Sequence, residues 1–447
     1  MTVITEFSIA ARAMVTTNVT SGAHLPSPAQ KRYLRLIATR GYSKSAHLFL
    51  AWTLAGDLCI SRLDKSIRNV LLRHDSLRTT FACVATGAPQ AVVLDAPAAP
   101  ALRPAQHMRE PITLEQWRDR PFDISGGQLH RAALLPDGQG RTVLAFAFHH
   151  LIIDGESLPI FIRSLNTAYQ HGSLTSAERE ATYRMYAESQ ARSSLSLKGK
   201  RALRFWGDTL RDLPSIQLLP FERTQARRTA PSHAVTASST TLGLSVEQTK
   251  RLCVCASSFA VTPFTLSLGV FFRVLMQTTG APDHTVVVPI DGRPSSVKFK
   301  NTIGLFVNPL PIRLIGAKHA STLEVLGRLA PLMLDVLRFR FTAYGDVCRV
   351  AGGPEITAKS PLRRIFARYD SSAMSHPDLR IDGVITEWLP QHEAMGSTHD
   401  LELLVCLRNG LIDLRFSSNG SLTPDELNEL SALYADVLNH VLSIRSH

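Results

Sequence analysis

Six consecutive apolar residues, Val143-Leu144-Ala145-Phe146-Ala147-Phe148, run straight into His149-His150-Leu151-Ile152-Ile153-Asp154-Gly155. The apolar run reads as a buried strand. Beyond the glycine, Leu158, Phe161, Ile162, Leu165 and Tyr169 recur at helical spacing and form one apolar face. A buried strand that turns through polar residues into an amphipathic helix points to an α/β layering. It also gathers two imidazoles, a carboxylate and a glycine at a strand end, a layout suited to acyl transfer. One imidazole can face a channel as general base while the carboxylate fixes the turn.

The residues alone leave the roles open. Adjacent side chains on a strand point to opposite faces, so only one of His149 and His150 faces a channel, and alternation does not choose between them. An unperturbed imidazole titrates near about 6.5, so the neutral ring accepts a proton at cellular pH. Asp154 reads either as a second base or as a carboxylate that caps a helix or meets an arginine. Gly155 allows close backbone approach and unusual dihedrals. Transfer of an acyl group from a thioester to an amine or hydroxyl needs a base and donors for the developing oxyanion. The thioester is already activated, so no covalent nucleophile is required. The chain has no GxSxG elbow and no cysteine in a recognisable active-site context.

At 447 residues the chain exceeds what one core usually supports, so two domains are expected. We expect an irregular leader over residues 1–24, a first lobe over 25–195, a crossing over 196–235 and a second lobe over 236–447. The first lobe alternates helices and strands; Leu63, Ile67, Val70 and Leu71 form a helical stripe leading into Arg73–Phe81. The crossing is rich in Ser, Arg, Lys and Pro, with a short helix around Phe205-Trp206. The second lobe carries a helix from Pro263 to about Gln277, a strand at Thr285–Ile290 and another apolar strand within Ile303–Arg313. It ends in a helix with Thr423 as N-cap, Pro424 in the first turn and Glu426 completing a capping box.

Hydrophobic residues make up 45% and charged residues 19%, an ordinary globular balance. No stretch approaches the roughly 20 apolar residues of a membrane helix, and Met1–Thr20 does not read as a secretory signal. The six cysteines lack metal-type spacing, and Cys253 and Cys255 read as small core residues. These features lead to the expectation of a soluble, reduced, cytoplasmic protein. The net charge of +12 comes from 49 Lys+Arg against 37 Asp+Glu. Most of the basic residues are dispersed arginines, and two clusters, Lys198-Gly199-Lys200-Arg201 with Arg204 and Arg223 with Arg227-Arg228, fall in turn-rich connecting sequence. No nucleic-acid motif accompanies them. The excess suits a solvated surface or an acidic protein partner drawn in by steering.

Motifs in order along the chain carry a resemblance. Ser27-Pro28-Ala29-Gln30-Lys31-Arg32 is similar to an SxAQxR opening, Arg73–Phe81 to RHxxLRTxF, and His149–Gly155 to HHxxxDG. Tyr183-Arg184-Met185-Tyr186-Ala187 resembles a YxxYA box, followed by the aromatic-Trp pair Phe205-Trp206. Asp291-Gly292-Arg293 and Ile303-Gly304-Leu305-Phe306-Val307-Asn308 resemble a GR…IGxFVN segment, and Thr398–Leu403 has the look of the same family's tail. Together they resemble the condensation domains of nonribosomal peptide synthetases, within the HHxxxDG carrier- and CoA-dependent acyltransferases.

The resemblance implies an α/β (α+β) fold of two chloramphenicol-acetyltransferase-like lobes, a V-shaped pseudodimer with a central tunnel. It implies that His150 faces the tunnel as base or positioning group and that the amide near Gly155 helps polarise the thioester carbonyl. His149 would be structural, and Asp154 would pair with Arg293 to hold the loop. Heterocyclising members, with DxxxxD at this place, are excluded. Relatives usually show a His-Gln-Asp box where this chain has Tyr344-Gly345-Asp346-Val347, so the acceptor side is not inferred. The implied activity is amide or ester formation in natural-product biosynthesis, by a free-standing and monomeric enzyme. Its acyl, aminoacyl or polyketide donor would arrive on the phosphopantetheine of a carrier protein in trans, and its nucleophile would be small or carrier-bound. No covalently bound cofactor, metal, nucleic acid or membrane is expected. The alternatives are an acyl-CoA-dependent O-acyltransferase and a non-catalytic recruiting platform.

Overall fold

The computed structural model describes residues 23–443 except 41–45, 84–87, 97–100, 105–111, 125–126, 175–180, 194–195, 223–236, 317–319, 353–360, 371–377 and 390–398. Nearly all of the expected leader, part of the expected crossing with its Arg223, Arg227 and Arg228, and Thr398 lie outside the described residues. The chain divides into two compact units. The first comprises Met1–Ser196, Asp291–Val307 and His376–Glu393; the second comprises Leu197–Ile290, Asn308–Ser375 and Ala394–His447. Two stretches that a sequential division assigns to the second half thus belong to the first unit.

The first unit is built on a five-stranded sheet in the order Val384–Trp388, His47–Gly56, Thr142–His149, His130–Pro136 and Leu102–Pro104. All pairings are antiparallel except the last. Thr142–His149 lies at the centre, and every residue from Val143 to His149 is buried. That is why the strand reads as a continuous apolar run rather than an alternation. The helix Ile60–Arg73 buries Leu63, Ile67, Val70 and Leu71, the stripe expected from the sequence. The helix Leu158–His171 buries the expected face, and its Phe161 packs edge-on against Phe146 at 5.1 Å and Phe148 at 4.9 Å. Burial of such side chains contributes about 1.5–3 kcal/mol each. The segment between strand and helix therefore starts and finishes on fixed supports.

The second unit carries a six-stranded sheet in the order Val307–Ile315, Asp283–Asp291, Ile365–Asp370, Leu401–Arg408, Leu411–Ser418 and Ser238–Gly243. The helix Pro263–Thr279, capped by Thr262, is buried almost throughout. The last helix, Pro424–Ser443, begins as expected: Thr423 Oγ1 accepts from Glu426 N at 3.3 Å, and Glu426 Oε2 accepts from Thr423 N at 2.8 Å.

Two expectations change. The Lys198–Arg204 cluster lies not in turn-rich sequence but on the helix Leu197–Thr209, anchored by buried Ala202 and Trp206 with its cations exposed. Of the close cysteine pair only Cys255 is buried; Cys253 is exposed, because neighbours two apart on a helix face different directions. Among the described residues no single helix is long and apolar enough to cross a membrane.

Candidate active site

The loop between Thr142–His149 and Leu158–His171 is held carbonyl by carbonyl. Gln30 Nε2 donates to Leu151 O at 2.9 Å, Ser76 Oγ to Ile152 O at 2.5 Å, and His150 Nδ1 to Ile153 O at 3.2 Å. Ser27 and Gln30 cap one another at the start of the helix Pro28–Arg40, and Ser27 Oγ meets Tyr183 Oη at 2.8 Å. Asp75 accepts from the backbone N–H groups of Tyr183 and Arg184, both at 3.2 Å, and so serves the unsatisfied donors at the start of a distant helix. Side chains from the SxAQxR, RHxxLRTxF and YxxYA segments thus meet around one turn. This gives a physical reason for their appearing together in one chain.

The two histidines part company at the strand end. His149 is fully buried, opposite His47 across the sheet and edge-on to Phe122 at 6.1 Å. Its Nδ1 accepts from Leu151 N at 3.1 Å, so its proton sits on Nε2. Burial, with His150 and His47 nearby, pushes its pKa down to about 3. His47 is likewise pushed by burial to about 4, against an opposing hydrogen bond to Arg118 O. His150 is half-buried and leaves the strand, its amide donating to Ala46 O at 2.8 Å. A carbonyl only accepts, so the bond to Ile153 O puts the proton on Nδ1. The lone pair of the neutral ring is then on Nε2. The neighbouring imidazoles hold opposite tautomers: one is locked in the core, and the other carries its base at the end of the strand.

Asp154 is 1% exposed. Its Oδ1 accepts from Ser157 Oγ at 2.6 Å and Ser157 N at 3.0 Å; its Oδ2 accepts from Phe306 N at 2.7 Å and Val307 N at 3.0 Å. Burial raises its pKa, with the Arg293 charge and these hydrogen bonds pulling the other way. Arg293 approaches Asp154 at 3.7 Å, an ion pair longer than a hydrogen bond. Its close bond runs from Nη2 to Ser157 Oγ at 2.9 Å, and its guanidinium also meets Asp291 and lies 4.4 Å from the Phe306 ring centroid. The carboxylate is therefore a clamp joining the loop to residues 304–307, with Ser157 as the bridge to arginine. Gly155 opens a short 3-10 turn, Gly155–Ser157, and its φ is not in the left-handed region. Gly292 and Gly304 leave no room for a side chain. A Cβ on Gly292 would lie 2.5 Å from Phe306 O, and one on Gly304 would lie 2.0 Å from the Tyr183 ring.

His149, His150, Asp154, Gly155 and Arg293 all belong to the first unit. Ser157 and the Phe306 and Val307 amides were not singled out by sequence. A serine three residues after an acidic N-cap is a local signal that could have found the first; backbone amides leave no signature. Among the described residues no cluster of His, Cys, Asp and Glu could hold a metal ion.

Residues 22–376 match the family model described as Condensation domain. The chain belongs to the condensation-domain family. A similar curated relative is the fusarin C synthetase of Gibberella moniliformis, 29% identical over 319 residues, which are 71% of this chain and 8% of the synthetase. The chain thus spans under a tenth of that relative's length. Among solved structures, this condensation domain is similar to the X-domain in a complex of the X-domain and OxyB from teicoplanin biosynthesis. The TM-score is 0.79 at 20% identity, covering 96% of this chain and 95% of that one. It is also similar to the condensation domain from the monacolin K polyketide synthase MokA, with a TM-score of 0.77 at 18% identity over 95% of this chain and 98% of that one. At these identities the likeness shows the fold: mixed α/β with open sheets.

Proposed function

We propose that this condensation domain transfers an acyl, aminoacyl or polyketide group from a carrier-bound phosphopantetheine thioester to an amine or hydroxyl. The observation that carries the reading is the half-buried His150 with Nδ1 tied to Ile153 O, which directs its basic lone pair to Nε2. The nucleophile gives its proton to Nε2 as it attacks the thioester carbon. The C–S bond then breaks, and the leaving thiolate takes the proton back from the imidazolium. A positioned base of this kind contributes typically about 10²–10⁴-fold. In this scheme the amide of Gly155 donates toward the developing oxyanion, and Asp154, Ser157 and Arg293 hold the turn. The net charge of +12 favours encounter with an acidic carrier.

The test supplies purified protein with acyl-carrier and acyl-CoA donors in parallel, with amine and alcohol acceptors. Consumption of the carrier thioester is expected, with His150→Ala abolishing turnover at an unchanged unfolding midpoint. A fully active His150→Ala enzyme would remove the base assignment, and exclusive use of acyl-CoA would favour an O-acyltransferase instead. The likeness to an X-domain solved with OxyB supports a second reading, a recruiting platform without catalysis. That reading gains if neither thioester is consumed.

A further inference from the structure

The helix Pro28–Arg40 serves the histidine loop twice. Gln30, fully buried, fixes the backbone through Leu151 O. Tyr33, three residues on and so on the same helical face, stacks on His150 with ring centroids 5.6 Å apart and planes 30° from parallel. Tyr33 is half-buried and packs against both apolar clusters of the first unit, the large one containing Phe148 and Phe161 and the small one formed by Tyr183, Tyr186, Leu305 and Phe306. The bond from Nδ1 to Ile153 O fixes one edge of the imidazole, and the stacked Tyr33 ring bears on its plane. A ring braced against two clusters holds that plane in one orientation.

We propose that Tyr33 is a positioning residue for His150, its ring setting the imidazole plane while Gln30, one turn earlier, sets the loop. The inference rests on His150 acting as base. The ring and not the hydroxyl carries the role, so Tyr33→Phe retains turnover within about twofold, whereas Tyr33→Ala lowers kcat about tenfold or more through lost orientation. KM for the acyl donor stays unchanged, and the pH–rate profile shifts in Tyr33→Ala alone. NMR of ¹⁵N-histidine-labelled protein gives a readout independent of turnover: the His150 ring nitrogens lose their single-tautomer shifts in Tyr33→Ala and keep them in Tyr33→Phe. Unchanged His150 shifts and kcat in Tyr33→Ala would overturn the proposal, as would a Tyr33→Phe variant as impaired as Tyr33→Ala. His150→Ala in the same assay separates the two ideas. If it stays active the base reading fails; if it is inactive while Tyr33→Ala is unimpaired, only the role of Tyr33 fails.

Discussion

Asp154 offsets its burial with four donors, two from Ser157 and two from the Phe306 and Val307 amides. Removing a charge from such a cluster leaves buried donors unsatisfied, which costs more than the mean value of a hydrogen bond. Asp154→Ala is expected to lose roughly 3–5 kcal/mol of stability, the range for breaking a buried pair from one side, along with activity. Asp154→Asn, which keeps one acceptor oxygen, should lose less. Denaturant midpoints measure both, and an Asp154→Ala protein as stable as the parent would show that the clamp is not structural. At this scale the sequence was partly legible. It offered Asp154 as base or loop partner, and strand alternation could not rank His149 against His150. What separates these outcomes is which nitrogen meets a carbonyl and which amides reach a carboxylate, and backbone groups are the same in every residue.

The secondary-structure elements were easier to read where periodicity or capping chemistry is strong. The Leu63, Ile67, Val70, Leu71 stripe and the Thr423–Glu426 box each fall where expected because their cause is local. The helix Leu197–Thr209 is only partly legible: a short helix is expected around Phe205-Trp206, but four exposed cations and two glycines mask its full extent, and only Ala202 and Trp206 on it are buried. Two glycines, Gly304 in the bend before the strand Val307–Ile315 and Gly207 on a helix, also differ in a testable way. Tyr183 is held by Ser27 and by a 2.7 Å bond to Leu305 O, so it cannot swing away from a new methyl at Gly304. Gly304→Ala is expected to cost about 1–3 kcal/mol or more by overpacking. Gly207, inside the helix Leu197–Thr209, has nothing within 4 Å of its missing Cβ. Gly207→Ala should instead gain about 0.5–1 kcal/mol. Thermal or denaturant unfolding of the two variants side by side tests this; equal effects would contradict the close approach.

Across the whole molecule, buried imidazoles tie stability to pH. Burial depresses His74 and His149 to about 3 and His47, His130 and His284 to about 4. Each takes up a proton near about 6.5 when unfolded, so between these values the unfolded chain binds more protons and stability rises with pH. Their contribution is complete above about 6.5 and is lost as pH falls toward 4, by up to about 1.4 kcal/mol per unit for each group. The raised pKa of Asp154 acts in the opposite sense, one group against five. The urea midpoint should fall steeply between pH 6.5 and about 4.5. A flat profile there would mean that these rings are not neutral in the core.

The first unit draws on three separated stretches of chain, and that has a consequence for how the protein is made. Synthesis proceeds from the N-terminus, so when residue 196 emerges the sheet still lacks Val384–Trp388 and Asp154 lacks the Phe306 and Val307 amides. The histidine loop must wait for a segment about 150 positions downstream, and the sheet edge waits longer still. A fragment ending at residue 196 is accordingly expected to lack the cooperative unfolding of the intact chain, which denaturant titration of the two measures. A nascent chain of this protein carries its histidine loop early and acquires the means to hold it late.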